Sequence, residues 1–334
     1  MLCMIIFLLL ILFITFKLYQ HFFPAPLVNP QGKYVLISGC DTGFGHELAK
    51  VLDGQGFNVL AGVYSNESKE KLGKNLSKKA TVFKLDITKQ QDIDAAFDLV
   101  KAKTDNLYAL VNNAGVGKGG LIDWIPMQLY RDLMEVNFFG HVSMTKTFLP
   151  LLLKQAGNRV INLTSVAGYF AGPALSPYCA SKSALEAFSD CLRREMATWG
   201  LKVSILEPGF MRTAIIEGHK ETLKRLWADL PVATQERWGE GFFNNQLQNR
   251  TNNVFMKHAQ DPIIVVRALQ HAVSSTQPRI RYRPGWQSAY FFYPLSMMPA
   301  CVGDFVLSLT GTKGEKPAGV LKRLEQAVKQ SQPN

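Results

Sequence analysis

The sequence predicts a doubly wound α/β fold, in which helices cover both faces of a single parallel sheet. From Lys33 onward, short β-branched or apolar segments alternate with longer amphipathic ones, beginning with "KYVLIS", "HELAKVLDGQG" and "FNVLAGV". A strand period followed by a helix period, repeated along the chain, indicates β-α-β units with right-handed crossovers. A glycine-rich turn also separates the first strand from the first helix, which is typical of this class.

The alternation accounts for the chain up to about residue 208. The predicted strands lie at 33–38, 57–63, 80–86, 107–115, 159–165 and 202–208, with a last strand at 279–284. The helices between them are predicted at 46–56, 69–76, 92–103, 127–153 and 177–199. The stretch from Phe210 to Asn253 breaks the alternation and is predicted to be helical. Its large apolar residues fit either a lid over a ligand or a helical pair packed on the domain.

An apolar segment precedes this domain. Residues 2–16 carry no charge and the aromatic "KLYQHFF" follows, without the basic start and small-residue cleavage site of a secretory signal. We therefore predict an uncleaved membrane anchor at 1–23 and a linker at 24–32. A helix lying in one leaflet is the alternative. Lys17 and Lys33 follow the segment and nothing basic precedes it, which predicts a cytosolic catalytic domain.

Charge and cysteine content exclude several functional classes. The net charge is +11, but the basic residues are scattered and form no block interleaved with aromatics, so we expect no nucleic-acid partner. An anionic membrane surface is a better partner for such a chain. The five cysteines have no paired spacing, which argues against a disulfide framework or a zinc site, and no metal site is predicted.

The glycine turn predicts a dinucleotide site. Gly39, Gly43 and Gly45, with Phe44 between the last two, lie where the first strand passes into the first helix. Glycines there let the backbone approach a pyrophosphate, which amide groups at the helix N-terminus then bind. The spacing G-x-x-x-G-x-G differs from the usual G-x-G-x-x-G, and its position between strand and helix carries the interpretation.

The residues around this turn favour NAD over NADP. An adenosine 2′-phosphate needs a nearby base, whereas the turn offers Asp41 and the second strand ends in the neutral "GVYS". A phosphate beside Asp41 would meet like charge. Asp86, at the end of the third strand, is placed to contact the adenine edge. Asp41 as a turn-stabilising residue and Asp86 as a helix N-terminal residue are the structural alternatives.

Polar residues also gather at the ends of later strands. "NNAG" at 112–115 ends the fourth predicted strand, Ser165 ends the fifth, and Tyr178 and Lys182 open the following helix. In an open α/β sheet the carboxyl ends of the strands share one crevice. Tyr178 and Lys182 are four residues apart and so share a helix face, where an ammonium acts on a phenolic hydroxyl.

Taken together, the motifs resemble the short-chain dehydrogenase/reductase family over residues 33–285. The matching residues are Gly39-x-x-x-Gly43-x-Gly45, Asn112-Asn113-Ala114-Gly115, Asn137, Ser165, Tyr178-x-x-x-Lys182 and Pro208-Gly209. The stretches "GCDTGFG", "SPYCASKSALEAFSDCLRREM", "EPGFMRT" and "RYRPGW" look like the microsomal retinol and hydroxysteroid dehydrogenase branch. That branch implies an endoplasmic reticulum membrane location, which fits the predicted anchor.

The resemblance implies a role for each matched residue. Tyr178 would be the acid/base, Lys182 would lower the pKa of Tyr178 and bind the nicotinamide ribose, and Ser165 would donate to the reacting oxygen. Asn137 would hold a water that relays protons from Lys182. The remaining cofactor contacts would be Asn112, Ala114, Gly115, Pro208, Gly209 and Thr213.

We therefore expect a membrane-anchored NAD-dependent dehydrogenase of a lipophilic alcohol, a retinoid or a 3α- or 17β-hydroxysteroid, with a domain at 33–311. A 3-hydroxybutyrate-type enzyme is the rival, and it would need a cation such as Arg212 or Lys220 at its pocket. A non-catalytic NAD-binding scaffold is the third reading. Face-to-face homodimers are common in the family. The apolar segment after 284 is predicted to pack on the core rather than touch a membrane, and 312–334 to form a polar tail.

Overall fold

The computed structural model describes residues 25–213, 219–310 and 314–331, with six more near the N-terminus: Met4, Phe7, Leu8, Ile11, Leu12 and Thr15. Most of the predicted anchor at 1–23 lies outside the described residues. Within the described part of the chain, no helix has both the length and the apolar character needed to span a bilayer.

Seven parallel strands form one sheet, as the sequence predicts. They are β1 (Tyr34–Ile37), β2 (Asn58–Val63), β3 (Thr81–Lys84), β4 (Leu107–Asn112), β5 (Arg159–Leu163), β6 (Lys202–Leu206) and β7 (Arg281–Tyr282). Their order is β3-β2-β1-β4-β5-β6-β7. The order reverses between β1 and β4, and ligands of open α/β sheets bind in the crevice at such a point.

Six helices flank the first six strands. They are α1 (Gly43–Gly54), α2 (Asn66–Gly73), α3 (Gln90–Lys101), α4 (Met127–Met134), α5 (Gly140–Leu152) and α6 (Ser176–Glu195). The predicted helix at 127–153 is interrupted by a π-helical turn at Glu135–Phe139, which contains Asn137. Such turns change the backbone hydrogen-bond pattern and are frequent at functional sites.

The sheet separates two apolar cores. One contains Leu48 and Leu52 of α1, and the other contains Phe148 and Leu152 of α5. Every residue of β4 and β5 is buried. Burial on both faces explains why these strands are mostly apolar and show no regular alternation with polar residues.

The stretch after β6 is helical, as predicted. It contains α7 (His219–Ala228), α8 (Val232–Trp238), α9 (Glu240–Asn252), the short α10 (Val254–Lys257) and α11 (Ile263–Ser274). An aromatic cluster joins α7, α8 and α9 to the turn that carries Trp124. The Trp124 ring centroid lies 5.1 Å from that of Trp227, which stacks on Phe243 at 4.6 Å.

The C-terminal part departs from its prediction. It forms a π-helical turn at Gln287–Phe292, then α12 (Tyr293–Ser296), α13 (Ala300–Thr310) and α14 (Ala318–Ser331). Gln287 and Phe292 are buried, so the first half packs on the core as expected. Phe305 and Leu309 of α13 are 63% and 68% exposed, so the second half does not. The stretch predicted as a polar tail contains an amphipathic helix.

Candidate active site

The glycine turn lies directly against the end of β4. Gly39 and Gly43 have φ values of +72° and +65°, which only glycine adopts readily. A Cβ on Gly39 would lie 2.6 Å from Ala114 Cα, and one on Gly45 would lie 2.4 Å from Asn113 Nδ2. Gly43 faces open space instead, because a Cβ there would meet no atom within 4 Å. The turn thus packs tightly on one side and leaves room beside the N-terminus of α1 on the other.

Asn113 ties this turn to β4. Its Nδ2 donates to the carbonyls of Ser38 and Gly39, both at 2.9 Å. The Ser38 hydroxyl in turn accepts from the backbone amides of Asn113 and Ala114. The sequence motif "NNAG" contains Asn113, but the residue is not among the predicted cofactor contacts. The sequence does offer a reason to expect a role for Asn113, because a buried side-chain amide directly after a strand needs hydrogen-bond partners.

Asp41 bridges the glycine turn and the end of β2. Its carboxylate accepts hydrogen bonds from the backbone amides of Tyr64 at 2.8 Å and Ser65 at 3.0 Å. The carboxylate therefore holds two strand ends together and also places a negative charge at the end of β2. Both interpretations of the sequence, turn stabilisation and a charge near the ribose position, fit this placement.

Asp86 lies in the turn before α3. Its Oδ1 accepts from the Thr88 amide and hydroxyl, and its other oxygen lies 3.4 Å from Lys89 Nζ. Burial raises the pKa of Asp86, but the Thr88 hydrogen bonds and the Lys89 charge outweigh it and lower the pKa overall. The side chain thus stabilises its own turn and does not line the cavity described below.

A buried polar ladder joins β4 to the π-helical turn and α5. Asn112 Nδ2 donates to Thr145 Oγ1 at 3.0 Å, and His141 Nε2 lies 2.7 Å from the Ala114 carbonyl. Asn137 Oδ1 accepts from the Val116 amide, while its Nδ2 donates to the Val116 carbonyl, both at 2.9 Å. The three helical residues are spaced four apart, so they share one face.

This ladder gives Asn112 and Asn137 structural partners. Asn112 also donates to Asn162 Oδ1 at 2.8 Å and does not line the cavity. The side chain of Asn137 donates a further hydrogen bond to Ser181 Oγ at 3.0 Å. Asn137 thus fixes the loop that follows β4, whereas Asn112 ties β4 to β5 and α5.

No role for His141 follows from the sequence, yet it lies beside Lys182. Burial lowers the pKa of His141 to about 3, and the Lys182 charge contributes to the change. The imidazole is therefore neutral at physiological pH. Its Nε2 donates to Ala114, because a neutral ring carries one N–H and a carbonyl only accepts. Within the described structure, its Nδ1 has no hydrogen-bond partner.

Tyr178 and Ser165 meet where α6 begins. Pro177, in the first turn, needs no amide partner there and favours a helix start. Burial raises the pKa of Tyr178, and a hydrogen bond from the Ser165 hydroxyl partly offsets this effect. Ser165 follows β5 and caps a short 3₁₀ turn, accepting from the Ala167 amide at 3.2 Å.

Lys182 is buried one helical turn after Tyr178. Its Nζ donates to the Leu163 carbonyl at 2.9 Å and lies 5.9 Å from the centroid of the Tyr178 ring. Burial lowers the pKa of Lys182 to about 8, while the negative charge of Glu186 opposes the decrease. Gly115 lies between Lys182 and Asn137, since a Cβ there would be 3.6 Å from Lys182 Nζ and 3.4 Å from Asn137 Oδ1.

A cavity of about 460 Å³ opens at this edge of the sheet. It brings together eight of the residues predicted from the sequence: Phe44, Gly115, Ser165, Tyr178, Lys182, Pro208, Gly209 and Thr213. The other predicted residues do not line it: Gly39, Asp41, Gly43, Gly45, Asp86, Asn112, Ala114 and Asn137.

Two loops that the sequence did not single out form part of the rim. Residues 116–118 come from the loop after β4, and residues 173–175 precede α6. A Cβ on Gly119 would lie 2.3 Å from the Ala174 carbonyl oxygen, so the loops pack closely. Ala174 itself has φ +60°, a strained conformation for alanine that is common at functional sites.

The far side of the cavity is largely apolar. Its walls include Leu121, Leu175, Phe210, Met211 and Met256, with Gln246 and Asn253 as polar additions. Neither Arg212 nor Lys220 lines it. Arg212 instead donates to the Ala259 carbonyl at 2.9 Å and pairs with Asp261. The exposed Lys118 is the cation that the rim does contain.

Comparison with known proteins identifies the family. The family model "short chain dehydrogenase" matches residues 33–224. The chain belongs to the short-chain dehydrogenase family. It is 38% identical to 17-beta-hydroxysteroid dehydrogenase type 6 of Bos taurus, over 85% of this chain and 90% of that protein. It is 42% identical to retinol dehydrogenase 5 of Mus musculus, over 82% of this chain and 87% of that one.

Solved structures share the fold of this short-chain dehydrogenase. A short-chain dehydrogenase from Streptomyces avermitilis superposes with a TM-score of 0.66 at 25% identity, covering 86% of this chain and all of the other. A Burkholderia cenocepacia enzyme in complex with NADP has a TM-score of 0.64, at 20% identity over 84% and 99% of the chains. A Brucella melitensis 3-ketoacyl-(acyl-carrier-protein) reductase complexed with NADH has a TM-score of 0.60, at 21% identity over 76% and 98%.

Membership of this family and branch establishes the general chemistry. The protein is an oxidoreductase that acts on CH–OH groups and their carbonyl counterparts with a nicotinamide cofactor. The resemblance read from the sequence motifs is thereby confirmed, as is the fold.

Proposed function

We propose that the protein is an NAD-dependent dehydrogenase of a lipophilic alcohol, a retinoid or a hydroxysteroid, with Tyr178 as the acid/base. The observation that carries this proposal is the meeting of Ser165, Tyr178 and Lys182 in one cavity whose remaining walls are mostly apolar. A polar reaction centre at one end of an apolar cavity orients a long apolar alcohol with its hydroxyl toward Tyr178.

The residues of the glycine turn fit a dinucleotide. The open space beside Gly43 at the N-terminus of α1 suits a pyrophosphate, because helix N-terminal amides bind anions. Gly115, Pro208, Gly209 and Thr213 line the cavity beside Lys182, where they would contact the nicotinamide end. A bound nicotinamide supplies the hydride acceptor for oxidation and a positive charge beside Tyr178.

Tyr178 moves the proton. In the oxidation direction its deprotonated oxygen accepts the proton of the substrate hydroxyl, which is general-base catalysis. Because burial raises the pKa of Tyr178, this form needs stabilisation. Without substrate, the Ser165 hydroxyl donates its hydrogen bond to the phenolic oxygen. With substrate bound, the same single O–H would turn to the substrate oxygen and donate there as negative charge develops.

Lys182 supplies positive charge and hydrogen bonds. Its ammonium lies on the Tyr178 side of the cavity and favours the phenolate electrostatically. Its two remaining N–H groups are available to ribose hydroxyls, because an ammonium has three donors and Leu163 accepts one. Asn137 positions the loop around Gly115 through Val116, and the π-helical turn at Asn137 is where a relay water would bind.

The preference for NAD rests on Asp41. Its carboxylate is fixed by the amides of Tyr64 and Ser65 at the end of β2, the strand end that faces the adenosine ribose in this fold. A ribose hydroxyl would be a favourable partner there, whereas a 2′-phosphate would be repelled.

The apolar walls favour a lipophilic substrate over a hydroxy acid. A carboxylate substrate needs a cation close to its acidic group, and Arg212 and Lys220 lie outside the cavity. A hydroxy-acid substrate would therefore have to pair its carboxylate with Lys118 at the rim. Turnover of 3-hydroxybutyrate tests it directly.

We further propose that the enzyme is anchored in the endoplasmic reticulum membrane with its domain in the cytosol. The uncharged segment at 2–16 supports this, as do the exposed apolar side chains of Met297, Phe305 and Leu309 near the other end of the chain. On flotation with anionic lipid vesicles, we expect the full chain to remain bound in 1 M salt. Release by salt alone would contradict an anchor, because salt screens only the electrostatic contribution.

Hydride transfer by the membrane-bound protein tests the function. NAD and NADP are compared with retinol, 3α- and 17β-hydroxysteroids and 3-hydroxybutyrate, with Tyr178→Phe as the variant without an acid/base. Tyr178→Phe keeps the ring that packs beside Leu129 and Leu133, so the fold is preserved. We expect NAD-dependent turnover of a lipophilic alcohol and at least a hundredfold loss in the variant, about the contribution of general acid–base catalysis.

Each other outcome has a definite meaning. Turnover of 3-hydroxybutyrate alone would replace the substrate class and keep the mechanism. A preference for NADP would contradict the role given to Asp41. Equal activity of Tyr178→Phe and the wild type would refute the catalytic assignment, and a lack of turnover with every substrate would favour the scaffold.

A further inference from the structure

A cluster of charged side chains lies behind the proposed catalytic residues. The guanidinium of Arg281, on β7, contacts the carboxylates of Glu186 and Glu207 and donates to Asp190 Oδ2 at 2.9 Å. Arg283 also pairs with Glu207, its Nε lying 2.7 Å from Oε2. Glu207 is fully buried, and burial raises its pKa. Buried charges of this kind require both pairing and precise hydrogen bonding.

The cluster joins three separate pieces of the site. Glu186 lies on α6 four residues after Lys182, on the same helix face. Glu207 directly precedes Pro208 and Gly209, which line the cavity. Arg281 pairs with both carboxylates, so one side chain fixes α6 relative to the end of β6.

A hydrogen bond extends the cluster to Ser165. The hydroxyl of Thr164, the residue before Ser165, donates to Glu186 Oε1. The backbone amide of Thr164 donates to the Leu206 carbonyl at 2.8 Å. Close packing supports the same contact, because a Cβ on Gly168 would lie 2.8 Å from Glu186 Cγ. Glu186 is thus held against the turn that carries Ser165.

Glu186 also acts on Lys182 electrostatically. Burial lowers the pKa of Lys182 and the Glu186 charge opposes the decrease. The charged and titratable groups facing Glu186 are Lys182 and Asp190 on α6, Arg281 and Arg283 from β7 onward, Glu207 after β6, and Tyr169. On α6, Glu186 is the carboxylate closer in sequence to Lys182, while Asp190 lies one turn further along.

We propose that Glu186, held by Arg281 and Thr164, is a positioning residue of the active site. It fixes the Ser165 turn against the helix of Tyr178 and Lys182, and it places a negative charge one helical turn from the buried Lys182 ammonium. The inference rests on the proposed function, since it assigns Glu186 an effect on those three residues.

The test compares Glu186→Gln with Asp190→Asn. Both substitutions remove one carboxylate from Arg281 on the same helix, but only Glu186→Gln removes a charge next to Lys182 and Thr164. For Glu186→Gln we expect kcat/KM to fall about ten- to hundredfold, the size of effect that small misplacements produce. The alkaline limb of its pH profile should move to lower pH by about one unit, because Lys182 loses a neighbouring opposite charge. Asp190→Asn should change neither quantity more than about twofold.

A conservative variant separates the two parts of the role. Glu186→Asp keeps the charge and shortens the side chain, so it should restore the wild-type pH profile while kcat stays reduced. Equal pH profiles for Glu186→Gln, Asp190→Asn and the wild type would overturn the inference. So would equal losses of kcat/KM in the two neutral variants, since a merely structural ion pair predicts that result.

A measurement without turnover distinguishes a failure of this inference from a failure of the proposed function. Urea unfolding of the full chain between pH 7 and pH 10.5 reports the titration of Lys182 through its effect on stability. The rise in unfolding free energy should begin at lower pH in Glu186→Gln than in Asp190→Asn. A common onset in both variants refutes the effect on Lys182, whereas failure of every substrate in the turnover assay counts against the proposed function alone.

Discussion

Replacing Lys182 by Met should stabilise the protein while abolishing its activity. The ammonium is buried, and lowering its pKa from 10.5 to about 8 corresponds to a cost of about 3 kcal/mol at neutral pH, at about 1.4 kcal/mol per pKa unit. Met has a similar length and no charge, so it avoids this cost. A buried charge that lowers the stability of the fold and lies in a cavity wall indicates a functional requirement.

The substitution also removes a favourable contact. Lys182 Nζ donates to the Leu163 carbonyl at 2.9 Å, and the loss of one such hydrogen bond costs about 1 kcal/mol. The expected net gain in unfolding free energy at pH 7 is therefore roughly 2 kcal/mol. The gain should be visible in urea unfolding of the full chain in detergent micelles, without cofactor.

The unfolding free energy should also depend on pH in a definite direction. The pKa of Lys182 is lower in the folded state than in the unfolded state, so between pH 8 and 10.5 the unfolded chain binds more protons. Wild-type stability should therefore rise with pH across this window. Lys182→Met lacks this rise, and its advantage over the wild type should disappear below pH 10.5, once the remaining cost of the ammonium falls under the roughly 1 kcal/mol of the lost hydrogen bond.

An exposed lysine provides the control. Lys146 lies on the exposed face of α5, and Lys146→Met makes the same chemical change outside the site. It should leave both the stability at pH 7 and its pH dependence within about 0.5 kcal/mol of the wild type. If Lys182→Met is less stable than the wild type at pH 7, or if both show the same rise above pH 8, the reasoning about the buried ammonium is wrong.

Four further substitutions test the nucleotide side of the site. Gly45→Ala should weaken NADH binding at least tenfold in a fluorescence titration, because its Cβ would lie 2.4 Å from Asn113 Nδ2. Gly43→Ala should cost about 1 kcal/mol of stability for its φ, and it should also weaken NADH binding, because its methyl group would occupy the space proposed for the pyrophosphate. Asp41→Asn should reduce the ratio of kcat/KM for NAD over NADP about tenfold by removing the repulsive charge, and an unchanged ratio would contradict that account. Asn112→Ala should lower the unfolding free energy by about 1–3 kcal/mol, since it leaves the Asn162 carbonyl oxygen unpaired, while NADH affinity measured by titration stays the same.

The sequence is sufficient to predict the parts of the site that depend on local order. Strand and helix periods predict β1 to β6, and parallel topology brings their carboxyl ends to one edge. Ser165, two residues after β5, follows from that rule. Tyr178 and Lys182 lie in the first turns of α6, and it was the family motif that assigned them to the same site.

Side-chain direction is what the sequence leaves open. Asn112 and Asn113 are adjacent, and alternation sends one amide into the core toward Thr145 and the other to the glycine turn. The motif "NNAG" does not say which is which. For the same reason the sequence does not identify His141, whose hydrogen-bond partner is the carbonyl of Ala114, 27 residues earlier in the chain.

The charged cluster is harder still to foresee. Arg281 and Glu186 are 95 residues apart, and "RIRYRP" reads as an exposed basic strand end until β7 is placed beside β6. Periodicity cannot reveal such a pair, because it reports which residues are buried and not which partners neutralise them.

The buried Lys182 links these observations to function. Among the described residues, its ammonium has one hydrogen-bond acceptor, the Leu163 carbonyl. The Glu186 carboxylate lies one helical turn away, but it already accepts a hydrogen bond from Thr164 and pairs with Arg281. An ammonium with unused donors in a water-poor wall is unstable by itself, so its free energy improves when a ligand brings further acceptors. The ribose hydroxyls of a dinucleotide are such acceptors. If the proposed function is correct, dinucleotide binding would offset the cost of burying Lys182 in the free protein, and the same side chain would lower stability before binding and raise affinity after it.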